Sequence, residues 1–260
     1  MTFGPRAALA LKNLPAFPPA AGKAINLLAD ETVGFREVAD TLGTDAALSA
    51  EVLRLANSPL FGPRNGVKNV AHAVAVVGSR RLTGLLLTLS MSKFLKRAGK
   101  TDTMRRSWRH NLASAVAARE FAKSFSRDTD EAYNAALFHD VGRLAFMVID
   151  PNFYQDAVGH DCDLQELETA RFGIDHCEAG AWVIEQWRLP RQFMAVALHH
   201  HAPQPENELT MLVNASCVVA NHLGFSFLPA DAPADGSDSN DQLSALITDF
   251  INSLEREYGI

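Results

Sequence analysis

Apolar residues recur along this chain at three- and four-residue spacing, and polar or breaker residues cut the rhythm into helix-length pieces. Leu82, Leu85, Leu86 and Leu89 fall at i, i+3, i+4 and i+7, one face of a helix packed on a core. Leu48, Val52, Leu53 and Leu55 carry a similar stripe behind Asp45, whose carboxylate can accept orphan backbone N–H groups. That helix is predicted to stop at Asn57-Ser58-Pro59, because proline disfavours helical geometry in the residue before it. Asn69 caps a predicted helix over Val70 to Val77, Gly78 ends it, and Ser79 starts the next. Further helices are predicted near 20–29, 36–42, 104–125, 129–149, 152–158, 161–172, 176–186, 191–200 and 209–223. Residues 226–240, rich in Asp, Ala, Gly and Ser, read as a flexible loop, and 241–258 as a C-terminal amphipathic helix packing back on the core. No alternating strand pattern and no long repeat emerges, so the class is all-α.

Composition narrows the function classes. The chain has 260 residues, 47% of them hydrophobic, and a net charge of -6, which excludes bulk nucleic-acid binding as the expected role. A local basic run, Lys93, Lys96, Arg97, Lys100, Arg105, Arg106 and Arg109, reads either as a solvated connector or as an anion- or partner-facing patch. Arg80 and Arg81, in the first turn of a predicted helix, mark a plain cap or a weak anion-binding turn. Cys162, Cys177 and Cys217 form no CxxC pair and read as free thiols of a reducing, cytoplasmic compartment. The most apolar run, Leu82 to Met91, is far short of the ~20 residues that cross a membrane. No basic segment with a long apolar stretch behind it opens the chain, so neither a signal peptide nor a membrane partner is expected.

The chemistry gathers around the histidines. Of nine, seven fall between His110 and His201. His139-Asp140 sits inside the apolar run Ala135 to Leu144, where an imidazole beside a carboxylate is costly unless each finds a partner. Alone, the pair reads as well as a satisfied core histidine next to a helix cap. With His110, His176 and the run His199-His200-His201 on or at the ends of other predicted helices, it reads as a metal site built from several helices of a bundle. Imidazole with carboxylate suits a divalent iron, manganese or zinc ion.

At this point the residues resemble a known family. Phe138-His139-Asp140-Val141-Gly142-Arg143 is similar to the central motif of the HD superfamily of metal-dependent phosphohydrolases. Leu14-Pro15-Ala16-Phe17-Pro18, Asp45-Ala46-Ala47-Leu48, the stretch from Val52 to Gly62, the stretch from Ala73 to Leu82, Phe172 to Ala181 and Trp187-Arg188-Leu189-Pro190 resemble motifs of the HDOD domain, the HD-related output domain of bacterial signalling proteins. The resemblance runs from about residue 10 to 225 and places the domain at 8–225. It implies a multi-helix HDOD fold, with an N-terminal helical lobe (8–98) packed on an HD-like core (102–225). It makes His110 the first ligand histidine, His139-Asp140 the HD pair, His176 a match to a further histidine position, and His200-His201 a match to the double histidine of the related HD-GYP phosphodiesterases. Glu168 matches a recurrent acidic position of unassigned role.

Two departures shape the expected function. Asn221 stands where many HD hydrolases carry an aspartate on the last core helix, and a neutral amide binds metal more weakly. The GYP segment is also missing: Pro203-Gln204-Pro205-Glu206-Asn207 follows the double histidine, which counts against cyclic di-GMP hydrolysis. The reading is a bacterial signal-transduction module that binds a protein partner or nucleotide-type ligand without turnover, its metal set His110, His139, Asp140, His176, His200 and His201 inherited from a hydrolase. The alternative is a metal-dependent phosphohydrolase acting on a nucleotide or cyclic dinucleotide.

Overall fold

Side-chain caps open the helices where the sequence places them. The Asp45 carboxylate accepts from the Leu48 N–H at 2.9 Å, and the Asn69 side chain accepts from the His72 N–H at 2.7 Å. Asp175 accepts from the Glu178 N–H while the Glu178 carboxylate reaches back to the Asp175 N–H, a reciprocal box that satisfies two orphan donors. The computed structural model describes residues 14–30, 32–57, 66–98, 101–157, 163–228 and 241–258; every regular element among them is a helix, and the fold is all-α. Gly99, Lys100, Cys162, residues 58–65 and, of the loop expected over 226–240, residues 229–240 lie outside the described residues. No single helix among the described residues is long and apolar enough to cross a membrane.

The chain divides into two compact units. One comprises residues 16–94 and 187–190. It holds α1 (Pro19–Leu28), α2 (Phe35–Gly43), α3 (Ala46–Ala56), α4 (Val70–Val77) and most of α5 (Ser79–Ala98). Its core is Ile25, Val38, Leu42, Leu48, Val52 and the α5 leucines Leu82, Leu85, Leu86 and Leu89, all fully buried or nearly so. The return segment Trp187–Pro190 belongs to this unit rather than to its sequence neighbours. The Trp187 ring lies 5.2 Å from Phe17 and 5.7 Å from Phe94, and Asn26 donates to the Arg188 carbonyl at 2.8 Å.

The other unit carries α6 (Asp102–Ser124), α7 (Thr129–Phe138), α8 (Val141–Ile149), α9 (Phe153–Ala157), α10 (Leu164–Phe172), α11 (His176–Gln186), α12 (Arg191–His199), α13 (Glu208–His222) and α14 (Asp241–Tyr258). The small and apolar face of α6, from Leu112 to Ala118, is buried against α7 and α13, while α11 lies between α8 and α12. Leu243, Ile247, Phe250, Ile251 and Leu254 bury the inner face of α14 against α6. Of the basic run, Lys93, Arg105 and Arg109 pair with Glu51, Asp102 and Glu255.

One predicted element is corrected. The single helix expected over 129–149 is two, broken at His139–Asp140. The His139 ring explains the break: its Nδ1–H donates to the Ala136 carbonyl at 2.6 Å, taking an acceptor that a continuing helix would give to the Asp140 N–H. Gly142 then brings α8 into backbone contact with α11. A Cβ there would collide with the His176 carbonyl oxygen and stand 2.7 Å from the Gly180 nitrogen.

Candidate metal centre

Five elements of the second unit deliver polar side chains to one buried place. His110 comes from the middle of α6, and His139 and Asp140 from the break between α7 and α8. His176 is the first residue of α11, and His200 and His201 follow the last turn of α12. His110, His139, Asp140, His176 and His200 are all at most 2% exposed, whereas His201 reaches the surface. The imidazoles follow one another as a row, His110 to His139 at 5.3 Å, His139 to His200 at 5.0 Å and His200 to His176 at 5.5 Å between ring centres, with His201 5.0 Å from His176.

The ring orientations are set from behind. Nδ1 of His110 donates to the Phe225 carbonyl at 2.9 Å, that of His139 to Ala136 at 2.6 Å, and that of His200 to Ala197 at 2.9 Å. Nδ1 of His176 donates to the Glu168 carboxylate at 2.6 Å. With the proton held on Nδ1, each Nε2 presents a lone pair, and all four turn it toward Asp140. Asp140 Oδ1 lies 3.2 Å from His200 Nε2 and 3.4 Å from His176 Nε2; Oδ2 lies 3.6 Å from His139 Nε2 and 3.9 Å from His110 Nε2. These are acceptors facing acceptors. His139 Nε2, His200 Nε2 and Asp140 Oδ1 are buried without a hydrogen-bond partner. A cation shared by these lone pairs relieves their repulsion, so the donor set fits a divalent metal ion.

Electrostatics agree with that assignment. Burial pushes His139 and His176 well below the usual histidine range, so both are neutral and ready to ligate. Burial alone would raise the Asp140 carboxyl, but the Arg143 guanidinium beside it overcomes burial and holds the carboxyl well below its usual value. Asp140 is therefore ionised at neutral pH.

The structure brings together all six residues expected from the sequence. Asn221, on α13, lines the same cavity with its Oδ1 buried and unpartnered. Asn214 has a different task, donating to the His200 carbonyl at 2.7 Å and so fixing the double histidine. Arg80 and Arg81 stand exposed in the first turn of α5, an element of the other unit.

Sequence reasoning missed four participants. Cys217 Sγ lies 3.4 Å from His110 Nε2, and Cys177 Sγ 3.6 Å from His176 Nε2, so two thiols that the sequence marks only as free flank the donors. Arg143 reaches Asp140 Oδ2 at 3.4 Å; its position three residues after Asp140, one helical turn on, was the available signal. Tyr154 donates to Glu168 Oε1 at 2.7 Å, while Glu168 Oε2 accepts from the His176 backbone N–H at 2.8 Å as well as from its ring. The recurrent acidic position thus has a role: Glu168 orients His176. A cavity of about 610 Å³ opens over the site, lined among others by His110, Arg143, His201, Cys217, Asn221 and Phe227.

Comparison with known proteins places this architecture. A curated, uncharacterised protein of Treponema pallidum is 22% identical over 230 residues, 86% of this chain and 44% of its own length. The chain therefore spans less than half of that relative. Among solved structures, an HDOD domain protein of unknown function from Geobacter sulfurreducens matches with a TM-score of 0.70 at 24% identity, over 97% of this chain and 95% of its own. A provisionally assigned phosphohydrolase from Shewanella amazonensis matches at 0.69 and 21% identity, over 98% and 93%. A provisionally assigned signal transduction protein from Marinobacter aquaeolei matches at 0.67 and 20%, over 100% of this chain and 60% of its own. The model of the HDOD domain family matches residues 14–203, most of the chain and all of the cluster except the α13 residues, and the chain belongs to that family.

Proposed function

We propose that this chain is a signal-transduction module of a bacterial cytoplasm, in which a buried metal centre holds a nucleotide-type ligand or a protein partner without turning it over. The observation that carries the reading is the convergence of four anchored Nε2 lone pairs on one ionised, buried carboxylate. Anchoring by acceptors behind the ring is the usual companion of metal ligation. The donor candidates are His110, His139, Asp140, His176, His200 and His201, and imidazole with carboxylate favours iron, manganese or zinc. A bound ion would supply Lewis acidity toward a phosphoryl oxygen. Arg143 and His201 line the cavity beside the donors, and a guanidinium there favours an anionic ligand. Neutral Asn221 on α13 leaves the centre with one carboxylate among its candidate donors, which favours binding over hydrolysis.

A second reading is a metal-dependent phosphohydrolase acting on a nucleotide or cyclic dinucleotide. It is favoured by the cavity of about 610 Å³, which has the capacity of a small-molecule site. The experiment is metal analysis of tag-free protein, paired with nucleotide binding by calorimetry and a phosphodiesterase assay on the same preparation. Stoichiometric metal that His139→Ala removes, with ligand binding and no product, is expected. Metal-dependent turnover would establish the hydrolase instead, and absence of metal from a folded protein would sink both readings.

A further inference from the structure

Arg143 is inside the donor cluster. Its side chain is buried, and the guanidinium contacts three of the six candidate ligands. Nη1 lies 3.4 Å from Asp140 Oδ2, and Nη2 lies 3.5 Å from His176 Nε2 and 3.4 Å from His201 Nε2. The two histidine nitrogens are themselves 2.9 Å apart. Since Glu168 fixes the His176 proton on Nδ1, the Nε2 facing Arg143 is a lone pair, and the guanidinium N–H is the donor that meets it. A metal ion bound by His176 and His201 would need the same lone pairs. A guanidinium cannot yield its place by losing a proton, because it stays charged under all ordinary conditions.

The other end of the row is different. His110 Nε2, His139 Nε2 and Cys217 Sγ lie within 4.8 Å of one another. Asp140 Oδ2 faces both imidazoles. His139 Nε2 has no hydrogen-bond partner there. Charge points the same way. The buried carboxylates at the site are Asp140 and Glu168, and Asn221 adds none. Two divalent ions beside the guanidinium would place a large uncompensated positive charge in a buried volume, while one ion leaves it nearly balanced.

We propose that the Arg143 guanidinium stands in for a second metal ion, and that the centre therefore holds one ion, at the His110–His139–Asp140 end. This rests on the reading of the cluster as a metal centre. It turns a donor set that is nominally large enough for two ions into a mononuclear site. Two-ion sites that clamp attacking and leaving oxygens hold their ions about 3.5–4 Å apart. Here the second position of such a pair is taken by a side chain that is a cation but not a Lewis acid.

The test counts ions. The full chain, loaded with excess manganese and desalted, is analysed by plasma mass spectrometry, alongside Arg143→Gln and His139→Ala, with thermal melts to verify folding. One ion per wild-type chain, two per Arg143→Gln chain and none in His139→Ala are expected. Paramagnetic resonance of the manganese-loaded wild type gives a readout that needs no variant: the six-line spectrum of an isolated ion supports the proposal, and a spin-coupled pair overturns it. Two ions in the wild type, or a folded Arg143→Gln that still holds one, overturn the proposal while leaving the metal centre standing. No ion in any of the proteins removes both.

Discussion

Replacing Gly142 by alanine sets two effects of opposite sign against each other. Gly142 lies in the first turn of α8, where alanine ordinarily stabilises a helix by ~0.5–1 kcal/mol through the lower entropy of its unfolded state. The added methyl, however, would overlap the His176 carbonyl oxygen and lie 2.7 Å from the Gly180 nitrogen and 2.8 Å from the His176 carbonyl carbon. All three obstacles are backbone of α11, so no rotamer change relieves them. The helices must part by about 1 Å, which forfeits roughly a quarter to a half of the dispersion attraction along that seam. Overpacking of this kind costs about 1–3 kcal/mol, and the backbone obstruction argues for the upper end. The steric term wins, and Gly142→Ala is expected to lose about 2 kcal/mol net, a fall in Tm of about 4–8 °C for a chain of this size. Because His176 opens α11, metal affinity falls as well. Gly180→Ala is the control: its Cβ would meet the Ala197 Cβ at 3.3 Å and the Gly142 nitrogen at 3.4 Å, contacts that small shifts absorb. Thermal and urea unfolding of the two variants, followed by circular dichroism, measure the difference. Wild-type stability in Gly142→Ala, or equal losses in both variants, would refute the reasoning.

Three further outcomes are expected. Glu168→Ala strips the acceptor from the His176 backbone N–H, the His176 ring and the Tyr154 hydroxyl, and at about 1–3 kcal/mol for each buried donor left unsatisfied it should cost several kcal/mol in urea unfolding; Tyr154→Phe, which removes one bond and leaves no orphan donor, should cost about 1 kcal/mol. Metal-free protein should lose stability as pH falls: burial holds His139, His176 and His110 below their unfolded value near 6.5, so their contribution is complete above about pH 6.5 and declines below it, by about 1.4 kcal/mol per pH unit for each proton bound only by the unfolded chain, measured as urea midpoints between pH 8 and 5. On α13, Asn221→Asp should tighten manganese binding, read by calorimetric titration, by adding a carboxylate to the cavity that His110 also lines.

Local chemistry makes most of the helices legible in the amino-acid sequence. Asp45, Asn69 and Asp175 are caps whose oxygens do what their positions suggest, and the stripe from Leu82 to Leu89 is buried throughout. The six donors are legible because imidazole and carboxylate recur at helix ends and because the flanking motifs resemble a family. What stays hidden depends on partners distant in sequence. The apolar run from Ala135 to Ile149 has no breaker strong enough to announce two helices; the break follows from a side chain capturing the Ala136 carbonyl and from a glycine seam with α11. Arg143 would ordinarily be assigned to solvent, as long charged side chains are. Only the fold reveals that Asp140, His176 and His201 surround it. Cys177 and Cys217 belong to no motif, and their proximity to His176 and His110 is set by how α11 and α13 pack.

The hydrogen bond from His139 Nδ1 to the Ala136 carbonyl joins the architecture to the chemistry. On the structural side it interrupts the helix and allows Asp140 to leave helical geometry, with φ -104° and ψ 20°. On the chemical side it pins the ring proton to Nδ1 and leaves Nε2 as a lone pair facing that same Asp140. The consequence is testable in kind: any substitution that restores a continuous helix through residues 139 and 140 also removes the ligand geometry, so helix content and metal affinity at this position must change in opposite directions. The same logic holds at His200, whose Nδ1 bonds the Ala197 carbonyl three residues back, where α12 ends and the double histidine begins. Two helix ends are thus closed by the imidazoles they present, and the donors are preorganised because releasing either ring would leave a buried ring N–H without its acceptor.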